Sequence, residues 1–169
     1  MINAKDASGA TPLIYAARAG HVETIQYLVD NGGDVSEAGY GGLLPLHHAI
    51  NHMREPTCTL LLDLDANPNA GDEHGATALH FAAMAGALNA RFPGARVLVR
   101  LIEKNADVNA ATKTGTVPLH RRFLFFHVQR RPRYGAELDA QDASGNTALH
   151  YAAMIGFPTF VNALLKNGA

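Results

Sequence analysis

The sequence of 169 residues contains one cysteine, Cys58, and no tryptophan. A single cysteine excludes a disulfide within the chain and predicts a reducing, intracellular location, in the cytoplasm or the nucleus. No apolar run is long enough to span a membrane, and residues 1–5 lack the apolar core of a signal peptide. We therefore expect no insertion into a membrane.

A large net charge is also absent, because the formal charge of the whole chain is −1. Residues 1–73 nevertheless hold ten acidic against three basic residues, and residues 137–169 hold three against one. Residues 74–136 hold ten basic against two acidic residues. Such a basic middle predicts attraction to an acidic or phosphorylated segment of a partner protein.

Signatures of catalysis are missing. The chain has no Gly-rich phosphate loop followed by lysine, no Gly-x-Ser-x-Gly elbow and no His-Glu-x-x-His helix. His47, His48, His52 and Cys58 are metal-ligating residue types, but no second cluster completes a tetrahedral zinc site. We predict a protein that is not an enzyme and needs no cofactor or metal. Cys58 is then a core residue, His47 has a structural role, and His48 and His52 lie on a solvated helix face.

The chain does contain a repeated sequence motif, built around a leucine, which occurs five times. The motif reads Thr-Pro-Leu-Ile, Leu-Pro-Leu-His, Thr-Ala-Leu-His, Val-Pro-Leu-His and Thr-Ala-Leu-His, and its leucines are separated by 33, 33, 40 and 30 residues. The leucines are Leu13, Leu46, Leu79, Leu119 and Leu149. A period near 33 predicts like units that bury their apolar faces by stacking on one another.

Each unit combines the same local signals. It opens with a turn, as in Asp6-Ala7-Ser8-Gly9, and continues with the threonine and proline that favour the start of a helix. A glycine is predicted to end this first helix at Gly20, Gly86 and Gly156. A second, amphipathic helix follows, for example over residues 22–30.

These features together resemble the ankyrin repeat, whose signature is Thr-Pro-Leu-His-x-Ala in a turn–helix–helix unit. The resemblance implies an all-α solenoid with β-turn or hairpin fingers, and a histidine that bonds between adjacent turns. We predict one domain over residues 1–169, and both ends look like parts of further units of a longer protein. The predicted units are 6–38, 39–71, 72–111 with an insertion, 112–141 short and degenerate, and 142–169 incomplete.

Units 3 and 4 depart from the pattern. The insertion over residues 87–95 predicts a longer loop between the two helices of unit 3. Unit 4 has Arg122 and Phe123 in place of paired alanines, and Pro132 is predicted to cut its second helix. Its basic and aromatic stretch is either a degenerate repeat with solvated arginines or a docking site for a protein, with nucleic acid as the less favoured partner.

The resemblance further implies a concave face, made by the turn fingers and first helices, that binds other proteins. We predict a non-catalytic, monomeric protein-interaction module, with a structural spacer between other domains as the alternative. Asn109 resembles an asparagine that iron-dependent oxygenases hydroxylate, although a role in stabilising the turn also explains it. The predicted partner-binding residues are Tyr40, Leu43, His52, His74, Met84, Lys113, Arg121, Arg122, Leu124, Phe125, Asn146, Met154 and Ile155.

Overall fold

The computed structural model describes residues 1–88, 94–120, 135–156 and 158–169, with backbone alone for 86–88 and for 94–95. Eight α-helices lie in these ranges, together with two short 3-10 turns at Tyr40–Gly42 and Pro118–His120. The helices are α1 Pro12–Ala19, α2 Val22–Asp30, α3 Pro45–Asn51, α4 Glu55–Asp63, α5 Ala78–Leu88, α6 Gly94–Glu103, α7 Ala148–Ile155 and α8 Pro158–Lys166.

The start and end of α1 follow from its sequence. The Thr11 hydroxyl accepts a hydrogen bond from the Ile14 N–H at 3.3 Å, and Pro12 occupies the first turn. The helix ends at Gly20, whose φ of 88° lies in the left-handed region and whose N–H donates to the Ala16 carbonyl. The helix α7 likewise ends at Gly156, as predicted.

The prediction that Gly86 ends the first helix of unit 3 is wrong, because α5 continues to Leu88. Glycine inside a helix costs only about 1 kcal/mol, and the following Ala87 and Leu88 are strong helix formers. Part of the insertion therefore lengthens α5, and α6 begins at Gly94. Residues 89–93 lie outside the described ranges, as do residues 121–134, on which the predictions for Arg122, Phe123 and Pro132 fall.

The helices form two rows. The first helices pack side by side, α1 on α3 and α3 on α5, and the second helices form another row in which α4 contacts both α2 and α6. The repeated leucines fill the space within and between units, which explains why they recur at each period. Leu13, Leu46, Leu79 and Leu119 are fully buried, whereas Leu149 in the last unit is half-buried.

The segments before the first helices are fingers, each closed by a backbone hydrogen bond such as Asp72 N–H to Ala76 O at 3.0 Å. Adjacent fingers are also bonded, since Glu73 N–H donates to Gly41 O and Lys113 N–H donates to His74 O. Across the described residues the only bridge of β type joins Gly71 and Thr77. The predicted all-α architecture is confirmed, with fingers that are turns. Within the same ranges, no helix has the length and apolarity needed to cross a bilayer.

Candidate functional site: the finger groove

The finger groove is the face formed by the fingers and the first helices. It is built from five fingers and from α1, α3, α5, the 3-10 turn of unit 4 and α7. The fingers cover residues 6–10, 39–43, 72–76, 112–116 and 142–146.

The repeat histidines fix the fingers relative to the helices. In each of four units the imidazole Nδ1 accepts a hydrogen bond from the backbone N–H three residues earlier, as in Thr77 N–H to His80 at 3.1 Å. The other ring nitrogen of His80 donates to the Thr116 carbonyl, and that of His120 donates to the Ala140 carbonyl, both at 2.9 Å. The bond from His80 joins units 3 and 4, and the bond from His120 ties the first turn of unit 4 to the segment just before the finger of unit 5. Both confirm a structural role for these histidines.

Asparagines make a second set of bonds between units. The amide of Asn109 donates to Gly135 O and accepts from Glu137 N–H, both at 2.9 Å. Asn69 makes the equivalent pair with Asn105 and Asp107. Asn109 therefore stabilises the turn. Its hydroxylation stays a prediction, for which mass spectrometry of the protein from its native cell would show an added oxygen on this residue.

Aspartates hold the fingers of units 1, 3 and 5 in shape. The Asp6 carboxylate accepts bonds from the N–H groups of Ser8 and Ala10 and from the Tyr15 hydroxyl, at 2.6 Å for the last. The Tyr15 hydroxyl, with the finger donors, lowers the pKa of Asp6. In unit 5 the Tyr151 hydroxyl, followed by backbone N–H groups, lowers the pKa of Asp142 to about 2.

His47 is buried under the finger of unit 3, and its ring lies 4.8 Å from that of Phe81. Burial lowers its pKa from 6.5 to about 4, although the charge of Asp72 and the Ala70 carbonyl act in the opposite direction. The unfolded chain therefore takes up a proton at this histidine below its ordinary pKa, while the folded chain does so only near the lowered value. The stability that is present above the ordinary pKa is lost as the pH falls from the ordinary pKa towards the lowered one.

We expect the free energy of unfolding to drop by about 2 kcal/mol between about pH 7 and pH 5 on account of His47. Urea denaturation at both pH values would measure this drop. The matched variant His47→Gln lacks the titrating group, so its stability should change less over the same interval. Equal pH dependence in the two proteins would contradict the assignment.

A pocket of about 260 Å³ lies between the fingers of units 3 and 4. Three predicted partner-binding residues, His74, Met84 and Lys113, line this pocket together. Phe81 contributes to its apolar floor and was missed by the sequence-based prediction. Threonines of the unit 4 finger complete the wall.

A second pocket, of about 220 Å³, lies between units 1 and 2. It brings the predicted residues Tyr40 and Leu43 together with Tyr15, Arg18 and His48, which were not among the predicted partner-binding residues. Tyr15, His48 and Phe81 all stand two residues after the repeat leucine. The period itself therefore carried the signal that this position faces the finger groove.

The other predicted partner-binding residues are distributed along the chain. His52 is exposed at the end of α3, and Asn146 is half-buried beside Asp142 in the finger of unit 5. Met154 is 75% exposed and Ile155 is 52% exposed. Arg121, Arg122, Leu124 and Phe125 lie outside the described residues.

Part of the basic middle lies in the second row of helices. Arg100 on α6 pairs with Asp63 on α4, and Lys104 lies 3.5 Å from the same carboxylate. Arg96 lies 3.5 Å from Glu55, also on α4. These three cations are paired with acids away from the fingers, whereas Lys113 lines the finger groove.

The sulfur and imidazole groups that suggested zinc lie in different surroundings. Cys58 is buried in α4, as predicted, and burial raises its pKa to about 12. His52 is exposed, and its Nδ1 lies 3.0 Å from the His48 carbonyl. Among the described residues, no three or more of the metal-ligating types come together.

Comparison with protein families identifies the unit. A family model described as "Ankyrin repeats (3 copies)" matches residues 1–72, one described as "Ankyrin repeat" matches 74–113, and one described as "Ankyrin repeats (many copies)" matches 133–165. The chain belongs to the ankyrin repeat family. Ankyrin repeats generally mediate protein–protein interactions and are typically non-catalytic.

Relatives of this ankyrin repeat chain occur in several organisms. It is 31% identical over 165 residues to human "SH3 and multiple ankyrin repeat domains protein 2", covering 95% of the chain and 9% of that protein. It is 31% identical over 167 residues to rice "Probable E3 ubiquitin-protein ligase XBOS33", covering 94% of the chain and 32% of that protein. Human "Neurogenic locus notch homolog protein 2" is 29% identical over 187 residues, covering 99% of the chain and 7% of that protein. The chain thus spans a third or less of each of these three relatives.

Proposed function

We propose that this ankyrin repeat chain is a non-catalytic, monomeric module that binds a partner protein across the finger groove of units 2 to 5. The observation that carries the proposal is the set of large apolar side chains that are exposed to solvent on this face. Met84 is 40% exposed in the pocket between units 3 and 4, and Met154 occupies the equivalent position in unit 5. Exposed apolar groups on a repeated surface are typical of an interface.

Charge favours a partner with an acidic or phosphorylated segment. Lys113 stands on the finger of unit 4, and His74 stands on the finger beside it. Arg121 and Arg122 follow the first helical turn of unit 4 in the sequence. Basic side chains on a binding surface raise the rate of association with an acidic partner and restrict which partners bind.

The repeat register extends the proposed surface to residues outside the described ranges. Leu124 stands five residues after the leucine of unit 4, as Met84 and Met154 do in their units. Phe125 stands at the position of Ile155. We include Leu124 and Phe125 in the proposed apolar surface on this ground.

The proposal predicts that Met84→Asp strongly weakens capture of the partner, because a carboxylate there would have to be desolvated in the interface. Tyr27→Asp is the matched control, since Tyr27 is 70% exposed on α2 in the second row of helices. Affinity purification with quantitative mass spectrometry should show specific proteins that the unaltered chain and Tyr27→Asp capture equally. Met84→Asp should reduce their recovery by about tenfold or more.

Two results would contradict the proposal. Equal capture by all three proteins would place the interface elsewhere on the chain. Absence of any specifically captured protein would favour a structural spacer, which orients other parts of a longer protein without binding through this face. Thermal unfolding of each variant would verify that the proteins compared are folded.

A further inference from the structure

The finger of unit 4 differs from its neighbours in the group that holds the turn. In units 1, 3 and 5 an aspartate carboxylate accepts bonds from the N–H groups two and four residues later, at 2.8–2.9 Å. These aspartates are Asp6, Asp72 and Asp142. Unit 4 has Thr112 at this position, so its finger contains no carboxylate.

Thr112 replaces only half of what the aspartate does. Its hydroxyl accepts a bond from the Thr116 N–H at 3.1 Å. The backbone N–H of Thr114 donates to no acceptor among the described residues, and Thr114 is exposed. The three hydroxyls of this finger lie near one another, with 3.1 Å from Thr112 to Thr114 and 3.3 Å from Thr114 to Thr116. The finger thus presents several hydrogen-bond donors and no negative charge.

The same finger lines the pocket between units 3 and 4. Lys113 is exposed there and forms no ion pair within the described part of the chain, and Phe81 and Met84 form the apolar side of the pocket. His74, on the opposite finger, lies 3.6 Å from the carboxylate of its neighbour Glu73. The pocket therefore combines the Lys113 ammonium and the Thr114 N–H, neither of which has a partner among the described residues, with an apolar surface.

We propose that this pocket binds an aspartate or glutamate side chain of the partner, next to a bulky apolar residue that packs on Phe81 and Met84. This inference rests on the proposed function and specifies the chemistry of the partner at one site. The partner carboxylate binds the Thr114 N–H, as an internal carboxylate does in three other fingers, and pairs with Lys113. A carboxylate fits better than a phosphate dianion, because one ammonium group is present and Glu73 adds a negative charge nearby.

Random dodecapeptides displayed on phage and selected on the 169-residue chain would supply the probe. We expect the selected peptides to share an acidic residue beside an aromatic or long aliphatic one. Fluorescence polarisation with a labelled selected peptide would then compare variants. Thr112→Asp restores the carboxylate of the other fingers, so it should keep the fold while weakening binding by about tenfold or more, and Lys113→Ala should weaken binding by about tenfold.

Two controls match these changes in charge at exposed positions of α8. Thr159→Asp adds a carboxylate and Lys166→Ala removes an ammonium group, each outside the finger groove. Both variants should bind the peptide with unchanged affinity. In addition, the Thr114 amide proton should move downfield in an NMR titration with the peptide, since it gains a charged acceptor.

The outcomes separate this inference from the function on which it rests. If selected peptides bind and Met84→Asp prevents binding, but Thr112→Asp has no effect, the carboxylate site is wrong and the binding groove stands. If no peptide is enriched, or if Met84→Asp leaves binding unchanged, the proposed function of the groove fails. A phosphoserine peptide that binds more tightly than its glutamate counterpart would overturn the choice of a carboxylate.

Discussion

Replacing Leu79 by alanine is expected to lower the free energy of unfolding by about 2–5 kcal/mol, because Leu79 is fully buried at the centre of the array. Its helix, α5, packs on α6 of its own unit, on α3 of unit 2 and on the 3-10 turn of unit 4. Removing the leucine side chain leaves a cavity that two interfaces share, and in a stacked array the neighbouring units lose stability as well. Urea denaturation followed by circular dichroism would measure the loss.

Leu149→Ala is the matched control for this prediction, since Leu149 occupies the same repeat position in unit 5 and is only half-buried. The removed surface is partly in water already, so we expect a loss of less than about 2 kcal/mol. Similar losses for the two variants would show that the central unit is not covered from both sides. That result would contradict the stacking on which the groove depends.

The spacing of about 33 residues between the leucines predicted the stacked architecture, because a buried position recurs once in every unit. A leucine covered by the next unit must recur at each unit, so its spacing reports the stacking directly. Helix ends are less predictable, since they depend on differences of about 1 kcal/mol between competing local signals. Gly20 ends its helix, whereas Gly86 lies inside α5, and the residues after the glycine decide between these outcomes.

The candidate site was predicted in part. Sequence and family register identified His74, Met84 and Lys113 one at a time, but their common pocket depends on the distance between the fingers of units 3 and 4. The bond from Lys113 N–H to His74 O sets that distance, and no local pattern specifies it. The change from aspartate to Thr112 was visible in the sequence. Its consequence, a Thr114 N–H with no acceptor in the described part of the chain, required the hydrogen bonds of the other fingers for comparison.

Replacing Gly42 by alanine is expected to lower the free energy of unfolding by about 3 kcal/mol, since two costs coincide at this residue. Gly42 has a φ of 72°, where a side chain is strained. A Cβ added there would also lie 2.7 Å from the backbone nitrogen of Glu73 in the next finger, which is closer than van der Waals contact allows. The fingers would have to separate, and the bond from Glu73 N–H to Gly41 O would lengthen.

Gly145→Ala separates these two costs, because Gly145 is the equivalent residue of unit 5. Its φ is 76°, but a Cβ there would meet nothing within 4 Å. We expect the free energy of unfolding of this variant to fall by only about 1 kcal/mol, which is the cost of the left-handed backbone. The difference between the two variants in urea denaturation then reports how closely adjacent fingers approach. A difference near zero would mean that the fingers separate freely, and a groove with loose fingers could not hold the pocket between units 3 and 4 in a fixed shape.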